Sequence, residues 1–562
     1  MVNRSLPRVI AVTSSPLAAT PSAEDMLHLP MVQHLVLGQE HQSAGRLDEA
    51  IACYRSGLDA AGNDAANHLA MATRAELHAK LGNAHMVRGQ LDLAGLNYTA
   101  ALRIAPHLTA CWCNLGNVQM QGGNAEGAIA FYLQALKQNA KHWPTRTNLV
   151  QALIATGQMV VAKSLLSELA EERPTDSQVQ QQLGRVSFEL NEIETALHHF
   201  RQATSLNPED AESLYWIGAI HQQLEDLDGA QAAYAAAAQI QPLIYRRAIK
   251  SPADFRVLAL YAPFAGNTPA EYLFKDACYD TGTLALFDGS EAELAPLAGF
   301  DIVVNLISDA DQAASVLPVA AQLVSWLGKP VINDPERIRR TTRDAVAELL
   351  PDIPGCRVPN ILRLAAGTKV EDAVREAQLL FSFPLLVRPA GTHGGDDFEL
   401  VDDAAALAAY LGPREGDHYL IEYVDYASHD RHFRKYRFIF AGEKILPYHL
   451  AIGTGWKLHH DSTDMADHQW MQQEEAAFLA GPGRVFTSAH FETLRIIRAR
   501  MGLDYFGIDC GLDRDGNLVV FEVNTSMLVH EQNEAFPYKD PHVRAIKAAF
   551  DELLAQRAGK AC

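Results

Sequence analysis

Small and apolar residues recur through the first half of the chain with a period of 34 residues. Leu-Gly or its equivalent falls at Leu81-Gly82, Leu115-Gly116, Leu149-Val150, Leu183-Gly184 and Ile217-Gly218. Twelve residues after each second position stands an alanine: Ala94, Ala128, Ala162, Ala196 and Ala230. Four further on comes Tyr98, Tyr132, Leu166, Phe200 or Tyr234. Pro106, Pro174, Pro208 and Pro242 close most units, with Ala140 as the exception. The pattern predicts two helices per unit, brought close by the small residues, filled by the large one and stopped by proline. One such pair cannot bury its apolar face alone, so the units must stack. An earlier unit fits 31–64 through Gly38, Ala50 and Tyr54, with an insertion of about ten residues after it. Six repeats then occupy 31–244, preceded by a segment, 1–30, expected to be disordered.

From Asp254 the pattern changes to short apolar runs alternating with helical stretches. Arg256–Tyr261, Leu284–Phe287, Asp301–Asn305 and Lys329–Ile332 read as buried strands, and Ala310–Leu327 as a helix. That alternation predicts a parallel α/β unit over 254–333. No GxGxxG follows its first strand, which disfavours dinucleotide binding.

Three features then follow in order. Phe383–Arg388 is an apolar strand ending in arginine, and the loop Gly391-Thr392-His393-Gly394-Gly395 comes next. Glycines let backbone amides approach phosphate oxygens, and the guanidinium supplies a planar cationic fork. Tyr419–Val424 is a second apolar strand, leading to Asp425 and Asp430. The third is a hairpin: Phe506–Asp513 turns at Arg514-Asp515-Gly516-Asn517 into Leu518–Asn524. Alternation puts Glu522 and Asn524 on one face, and pairing across the turn can bring Asp509 near them. Two carboxylates and an amide make a hard oxygen site suited to magnesium, which takes few protein ligands and shares the rest with phosphates and water.

Charge and cysteine content narrow the class. With 47 basic and 68 acidic residues the net charge is −21, against a nonspecific nucleic-acid binder. No apolar run approaches the roughly 20 residues that span a bilayer. The seven cysteines are scattered without a CxxC pair, and Cys111 and Cys113 read as packing residues. Read as unpaired thiols, they point to the cytoplasm.

The repeats resemble the tetratricopeptide repeat (TPR), which implies an all-α solenoid whose groove holds a peptide or protein partner. The later features, taken in order over about 254–555, resemble the ATP-grasp superfamily, in its RimK-like, lysine-biosynthesis and glutathione-synthetase branches. That resemblance implies a multidomain chain: TPR solenoid, α/β pre-grasp unit, then α+β nucleotide lobes over 334–555.

It also implies an ADP-forming ligase that makes a C–N bond through an acyl phosphate, using ATP and Mg2+, with Mn2+ as an alternative. By position, Asp509, Glu522 and Asn524 resemble the magnesium ligands. Glu422, Tyr423 and Val424 resemble the adenine hinge, and Asp430 or Asp425 the acid on ribose. Arg437 and Lys457 resemble the cations facing the transferred phosphoryl group, and Gly391–Gly395 the flap over the phosphates. Arg388 and Arg343 stand where the family usually has lysine, which keeps the charge but changes a point charge into a fork.

His459, His460 and His393 are each candidates for the base that deprotonates the nucleophile. The implied substrate is a peptide or protein held by the TPR groove, with a small-molecule amine or amino acid as an alternative nucleophile. Peptide tailoring in natural-product biosynthesis is the setting this combination points to. The alternatives are a scaffold that binds ATP without ligation, or a kinase that stops at phosphorylation.

Overall fold

The computed structural model describes residues 30–60, 68–264, 266–287, 295–392, 395, 397–458, 463–531, 533 and 535–560. His393, Gly394, His459 and His460 lie outside them. The chain forms two compact units, Met1–Ala233 and Tyr234–Cys562.

Twelve helices, from Pro30–Ser43 to Leu227–Ile240, run in six pairs among the described residues up to 240. The periodic alanines are fully buried, and the large residue that follows each lies in the core. Gly82 shows why a small residue is required: a Cβ there would stand 2.7 Å from Cε1 of Tyr98. Gly82→Ala is therefore expected to cost about 1–3 kcal/mol by overpacking, read as a lower midpoint in denaturant unfolding of the array. Helix-to-helix turns place a left-handed residue at Gly89, Gly123, Gly157, Asn191 and Glu225, a second mark of the period. A chain of amides, three of them buried, crosses three repeats. Asn148 Nδ2 donates to Asn117 Oδ1 at 2.9 Å, Asn117 Nδ2 to Asn114 Oδ1 at 3.3 Å, and Asn114 Nδ2 to Asn83 Oδ1 at 3.0 Å.

The second unit holds three sheets. Strands β1 (Leu243–Arg246), β2 (Arg256–Tyr261), β3 (Asp280–Ala285), β4 (Ile302–Asn305) and β5 (Val331–Ile332) form the first, in the order β1-β3-β2-β4-β5. Its last four members pair in parallel, but β1 adds an antiparallel edge, so the sheet is mixed. The helix expected from Ala310 begins only at Leu317, because Pro318 has no N–H to give and fits only in the first turn. Residues 310–316 form turns instead, with Asp309 Oδ1 accepting from the amides of Asp311 and Gln312.

Strand β6 (Cys356–Arg357) belongs to the last sheet. Strands β7 (Ile361–Leu364), β8 (Leu385–Pro389), β9 (Glu399–Val401) and β10 (His418–Glu422) form the second, antiparallel, in the order β7-β10-β8-β9. Strands β11 (Phe433–Ala441), β12 (Lys444–Gly453), β13 (Tyr505–Leu512) and β14 (Leu518–Asn524) complete the third, in the order β12-β11-β13-β14-β6.

Alternation decides what the third sheet offers on each face. Tyr436, Phe438, Phe440, Ile508 and Val523 point into one core with Phe478 and Phe486. The opposite face divides. At one end Ile439 and Tyr505 are covered by helix Asp540–Ala558 through Ile546 and Phe550. The rest of that face carries charge.

Cys53, Cys111, Cys113, Cys356 and Cys510 are free thiols, whereas Cys278 is disulfide-bonded. This corrects the reading of an all-thiol chain and removes the support that reading gave to a reducing compartment. Cys111 and Cys113 are buried packing residues, as expected. No helix among the described residues is long and apolar enough to cross a membrane.

Candidate functional site

Strand register places four polar residues in one row across the third sheet. His449 of β12 faces Arg437 of β11, Arg437 faces Asp509 of β13, and Asp509 faces Glu522 of β14. Directly opposed residues share a face, so the row is continuous. Two residues along β14, Asn524 faces Gly507, and the room left by the missing side chain is filled by buried Met527.

Like charges directly opposed on a sheet repel, and two arginines offset that here. Arg437 holds Asp509 with both arms of its fork, Nε to Oδ1 at 2.6 Å and Nη2 to Oδ2 at 2.8 Å. Lys435 Nζ adds a cation at 3.5 Å. Burial pushes the Asp509 carboxyl up, but Arg437 and Lys435 outweigh it and hold it well below the usual carboxylate range. Glu522 is tied from another element, by Arg343 Nη2 to Oε1 at 2.6 Å. Asn524 Oδ1 accepts from Ser526 N at 2.7 Å.

A cleft opens beside this row. Its walls include Arg343, Gly391, Thr392, Glu522 and Asn524, together with Ser308, Asp309, Asp311, Thr341, Thr342, Thr525 and Ser526. A hydroxyl knot joins its two sides. Ser308 Oγ and Ser526 Oγ lie 2.8 Å apart, Thr525 Oγ1 donates to the Ser308 carbonyl, and Thr268 Oγ1 to that of Thr525 at 2.8 Å. Asp311 receives Arg363 Nη1 at 2.7 Å and Tyr419 Oη at 2.8 Å, which fixes the first sheet's loop to the second sheet.

The start of the glycine loop is fastened twice. Arg388 Nη2 donates to Thr392 Oγ1 at 2.9 Å and to its carbonyl, with the guanidinium over Phe398, and Gln312 Nε2 reaches the Gly391 carbonyl. Gly395 has φ of +86°, and a Cβ there would stand 2.9 Å from Cε of Lys457. Only glycine lets the lysine stem pass so close, and Lys457 Nζ donates to the Phe398 carbonyl at 3.2 Å. The base candidates His393, His459 and His460, with Gly394, fall outside the described residues.

Other expected site residues are not among those named as lining the cleft, and several are engaged by local partners. Glu422 accepts from Arg357 at 2.9 Å and from the backbone and side chain of Asn360 at 3.0 and 2.9 Å. Tyr423 meets Trp456 edge-on, and Val424 is buried. Asp430 is forked by Arg434 at 2.9 Å, and that guanidinium holds its carboxyl well below the ordinary range. Asp425 accepts from Arg514 at 2.8 Å.

One polar cluster had no place in the expected site. Glu475, on helix Gln469–Ala480, is wholly buried. Its Oε1 accepts from Leu450 N at 3.1 Å and Lys539 Nζ at 3.0 Å and lies 2.5 Å from His449 Nδ1, its Oε2 accepts from Tyr538 Oη at 2.7 Å, and Lys539 Nζ also lies 3.0 Å from His449 Nδ1. Burial raises its carboxyl, but His449, Lys539 and Tyr538 outweigh burial and hold it at about 2. The signal was legible: Glu475 sits in the apolar stripe Met471, Phe478, Leu479, at helical spacing. Tyr538→Phe is expected to cost about 1.5–3 kcal/mol, the worth of a hydrogen bond to a charged group, measured by chemical denaturation at pH 7. The Glu475 carboxyl is depressed on folding, so its share of stability is present above its unfolded value and fades as pH falls toward 2. The effect of Tyr538→Phe should shrink over the same range.

The donor set fits magnesium in kind: two carboxylates and an amide oxygen on paired strands, few in number and all hard oxygen. Each carboxylate oxygen retains a lone pair beyond its arginine bond. Among the described residues, no group of three or more His, Cys, Asp and Glu side chains is arranged for a metal, so any ion here depends on Asn524 and on oxygens the protein does not supply.

Comparison with known proteins bears on the first unit. Tetratricopeptide-repeat models match residues 34–64, 79–144, 120–185, 184–225 and 211–242. Its helix pairs are thus tetratricopeptide repeats. Among solved structures, YrrB, described as a TPR protein with an unusual peptide-binding site, is 21% identical, covering 30% of this chain and 87% of its own at a TM-score of 0.28. MamA is 18% identical over 29% of this chain and 94% of its own, with a TM-score of 0.28. The VanG D-Ala:D-Ser ligase from Enterococcus faecalis is 12% identical over 54% of this chain and 99% of its own, with a TM-score of 0.36. No curated protein matches the sequence.

Proposed function

We propose that the second unit is an ATP-dependent carboxylate–amine ligase and that the repeat array holds its peptide or protein substrate. The observation that carries this reading is the row of opposed carboxylates, Asp509 and Glu522, tied by Arg437 and Arg343 beside a cleft with a glycine loop. Such a row is a charge-neutralising surface for a polyanion and its metal, at a stability cost an ordinary core would not retain. Asp509, Glu522 and Asn524 would hold Mg2+, with Mn2+ as the alternative. Bound ATP would supply the phosphoryl group that activates a carboxylate, and magnesium would screen the phosphate charge.

The chain's own residues do the positioning. Arg343 lies where it can exchange Glu522 for a phosphate oxygen once a metal occupies the carboxylates. Arg437 keeps Asp509 ionised and adds positive charge next to it. Arg388 fastens the start of the glycine loop at Thr392 and Lys457 passes beside Gly395, and the loop's amides would meet phosphate oxygens. Ser308, Ser526 and Thr525 form the far wall and bond to one another across it. Glu422, Tyr423, Val424 and Asp430 keep the hinge and ribose roles as proposals. Each carboxylate among them would have to release an arginine to take those roles.

The test is direct. The full chain is incubated with ATP, Mg2+ and a panel of carboxylates and amines, following ADP and phosphate, with hydroxylamine added to trap an acyl phosphate as hydroxamate. Hydroxamate with ADP supports a ligase. Phosphorylated product without hydroxamate would mean a kinase, and ATP-stabilised folding without ADP a scaffold. Peptides retained by the repeat array, identified by mass spectrometry, would supply the first members of the panel.

A further inference from the structure

The second sheet is a lobe with a core of its own, in which helix Val370–Leu380 packs Ala373 and Ala377 against Leu364, Leu385 and Val387. The chain enters it from the third sheet through residues 358–360 and returns through residues 423–432. At those crossings Glu422 is bonded by Arg357 and Asn360. A second attachment, on the cleft side, comes from the first sheet.

Alternation sets which side chains of the lobe turn that way. Ile361 of β7 lines the cleft, so Arg363, two residues on, shares its face. Arg363 pairs in register with Tyr419 of β10. Facing them is the loop after β4, a hook whose shape is set within the first sheet. The amides of Ser308 and Asp309 donate to the Gly266 carbonyl at 2.7 and 2.9 Å, and the Asp309 carboxylate gathers the amides of Asp311 and Gln312. From its tip two adjacent side chains reach the lobe. Asp311 accepts from Arg363 Nη1 at 2.7 Å and Tyr419 Oη at 2.8 Å, and Gln312 Nε2 donates to the Gly391 carbonyl.

Parting these groups would strand neither charge. Arg363 Nε also donates to Asp417 Oδ2 at 2.9 Å, and Asp417, next to β10, belongs to the same lobe and moves with it. Asp311 sits at the tip of a loop, where water can take the place of its partners. We propose that Asp311 is a latch: its carboxylate holds the lobe over the cleft, and its release from Arg363 and Tyr419 is the event that admits and frees the ligand. The latch rests on these bonds alone. The nature of what it admits, a nucleoside triphosphate, rests on the ligase reading.

The first measurement needs no ligand. Spin labels on unnatural side chains are placed at 376, exposed on helix Val370–Leu380, and at 499, exposed on helix Ser488–Met501, which packs on the third sheet through Leu494 and Ile497. Their separation is read in the full chain by double electron–electron resonance. The parent should give one dominant short distance. Asp311→Asn and Tyr419→Phe should each raise the population at longer distance by about tenfold or more, as the loss of one hydrogen bond to a charged group implies. Distributions unchanged in both variants would overturn the latch.

The second is stopped-flow binding of a fluorescent MgATP analogue to the same chains. Entry and exit both wait for the lobe to open, so both rate constants follow the open fraction. In the two variants they should rise together, by about tenfold, with Kd changed by less than that. Faster dissociation alone, the mark of lost affinity, or no change in either rate would sink the idea. A parent chain that binds no analogue would count against the nucleotide reading instead, and the distance distributions would still decide the latch.

Discussion

Glu522→Gln is expected to leave the fold intact and lower ATP turnover by about 10²–10³-fold. The side chain is partly exposed, at 22%, and has Arg343 as its ion-pair partner at 2.6 Å. Replacing it by an amide therefore leaves no deeply buried charge alone. What is lost is a charged oxygen ligand opposite Asp509, and magnesium is poorly served by a neutral one. The check is ADP release set beside thermal unfolding with and without MgATP. The variant should melt close to the parent alone and gain less from the nucleotide, since ligand-linked stabilisation follows its weaker binding. Full turnover would remove these strands from the nucleotide site.

Arg437→Met, one strand away, should show the reverse emphasis: the second unit loses about 3–5 kcal/mol, with inactivity as a by-product. Asp509 is 4% exposed, and Arg437 satisfies both of its oxygens. Removing the fork leaves a buried carboxylate with Lys435 at 3.5 Å as its remaining ion-pair partner. The pH dependence should change too. In the parent the Asp509 carboxyl is depressed on folding, so it adds stability above its unfolded value of about 4 and loses it as pH falls. In Arg437→Met that acid-side slope should flatten. Denaturant midpoints measured from pH 3 to 7 decide the matter, and a parent-like slope would mean that Lys435 alone sets the charge.

The repeat half was legible because its information is periodic. Ala94, Ala128, Ala162, Ala196 and Ala230 mark one helix, and each confirms the others. Left-handed turns at Asn191 and Glu225 were less visible, since neither residue announces a positive φ as glycine does. In the second half, apolar runs located strands to within a few residues, and pairing Asp509 with Glu522 followed from the hairpin. Strand β1 was missed because four residues of a terminal edge carry no pattern of their own. Asp280–Ala285 was displaced because its Thr and Gly positions hide a strand that hydropathy alone places later.

The site was legible where chemistry is local in sequence and not where it is assembled. Asp509, Glu522 and Asn524 lie on one hairpin, and the tie from Arg343 to Glu522 spans 179 positions. The cluster around Glu475 draws on two helical segments and a strand. Its one local clue was a glutamate in an apolar stripe.

The amide chain in the repeats has a direction. Asn148, Asn117 and Asn114 each donate toward the lower-numbered neighbour, so their dipoles add head to tail. The positive end of that line falls at Asn83 and the negative end at the Asn148 oxygen. No one of these side chains can turn over alone, because reversing a middle member opposes donor to donor on one side and acceptor to acceptor on the other. Their polarity is a collective property of three repeats, and a solenoid of stacked, nearly identical units thereby acquires an electrical sense along its axis that its repeat symmetry alone would not give it.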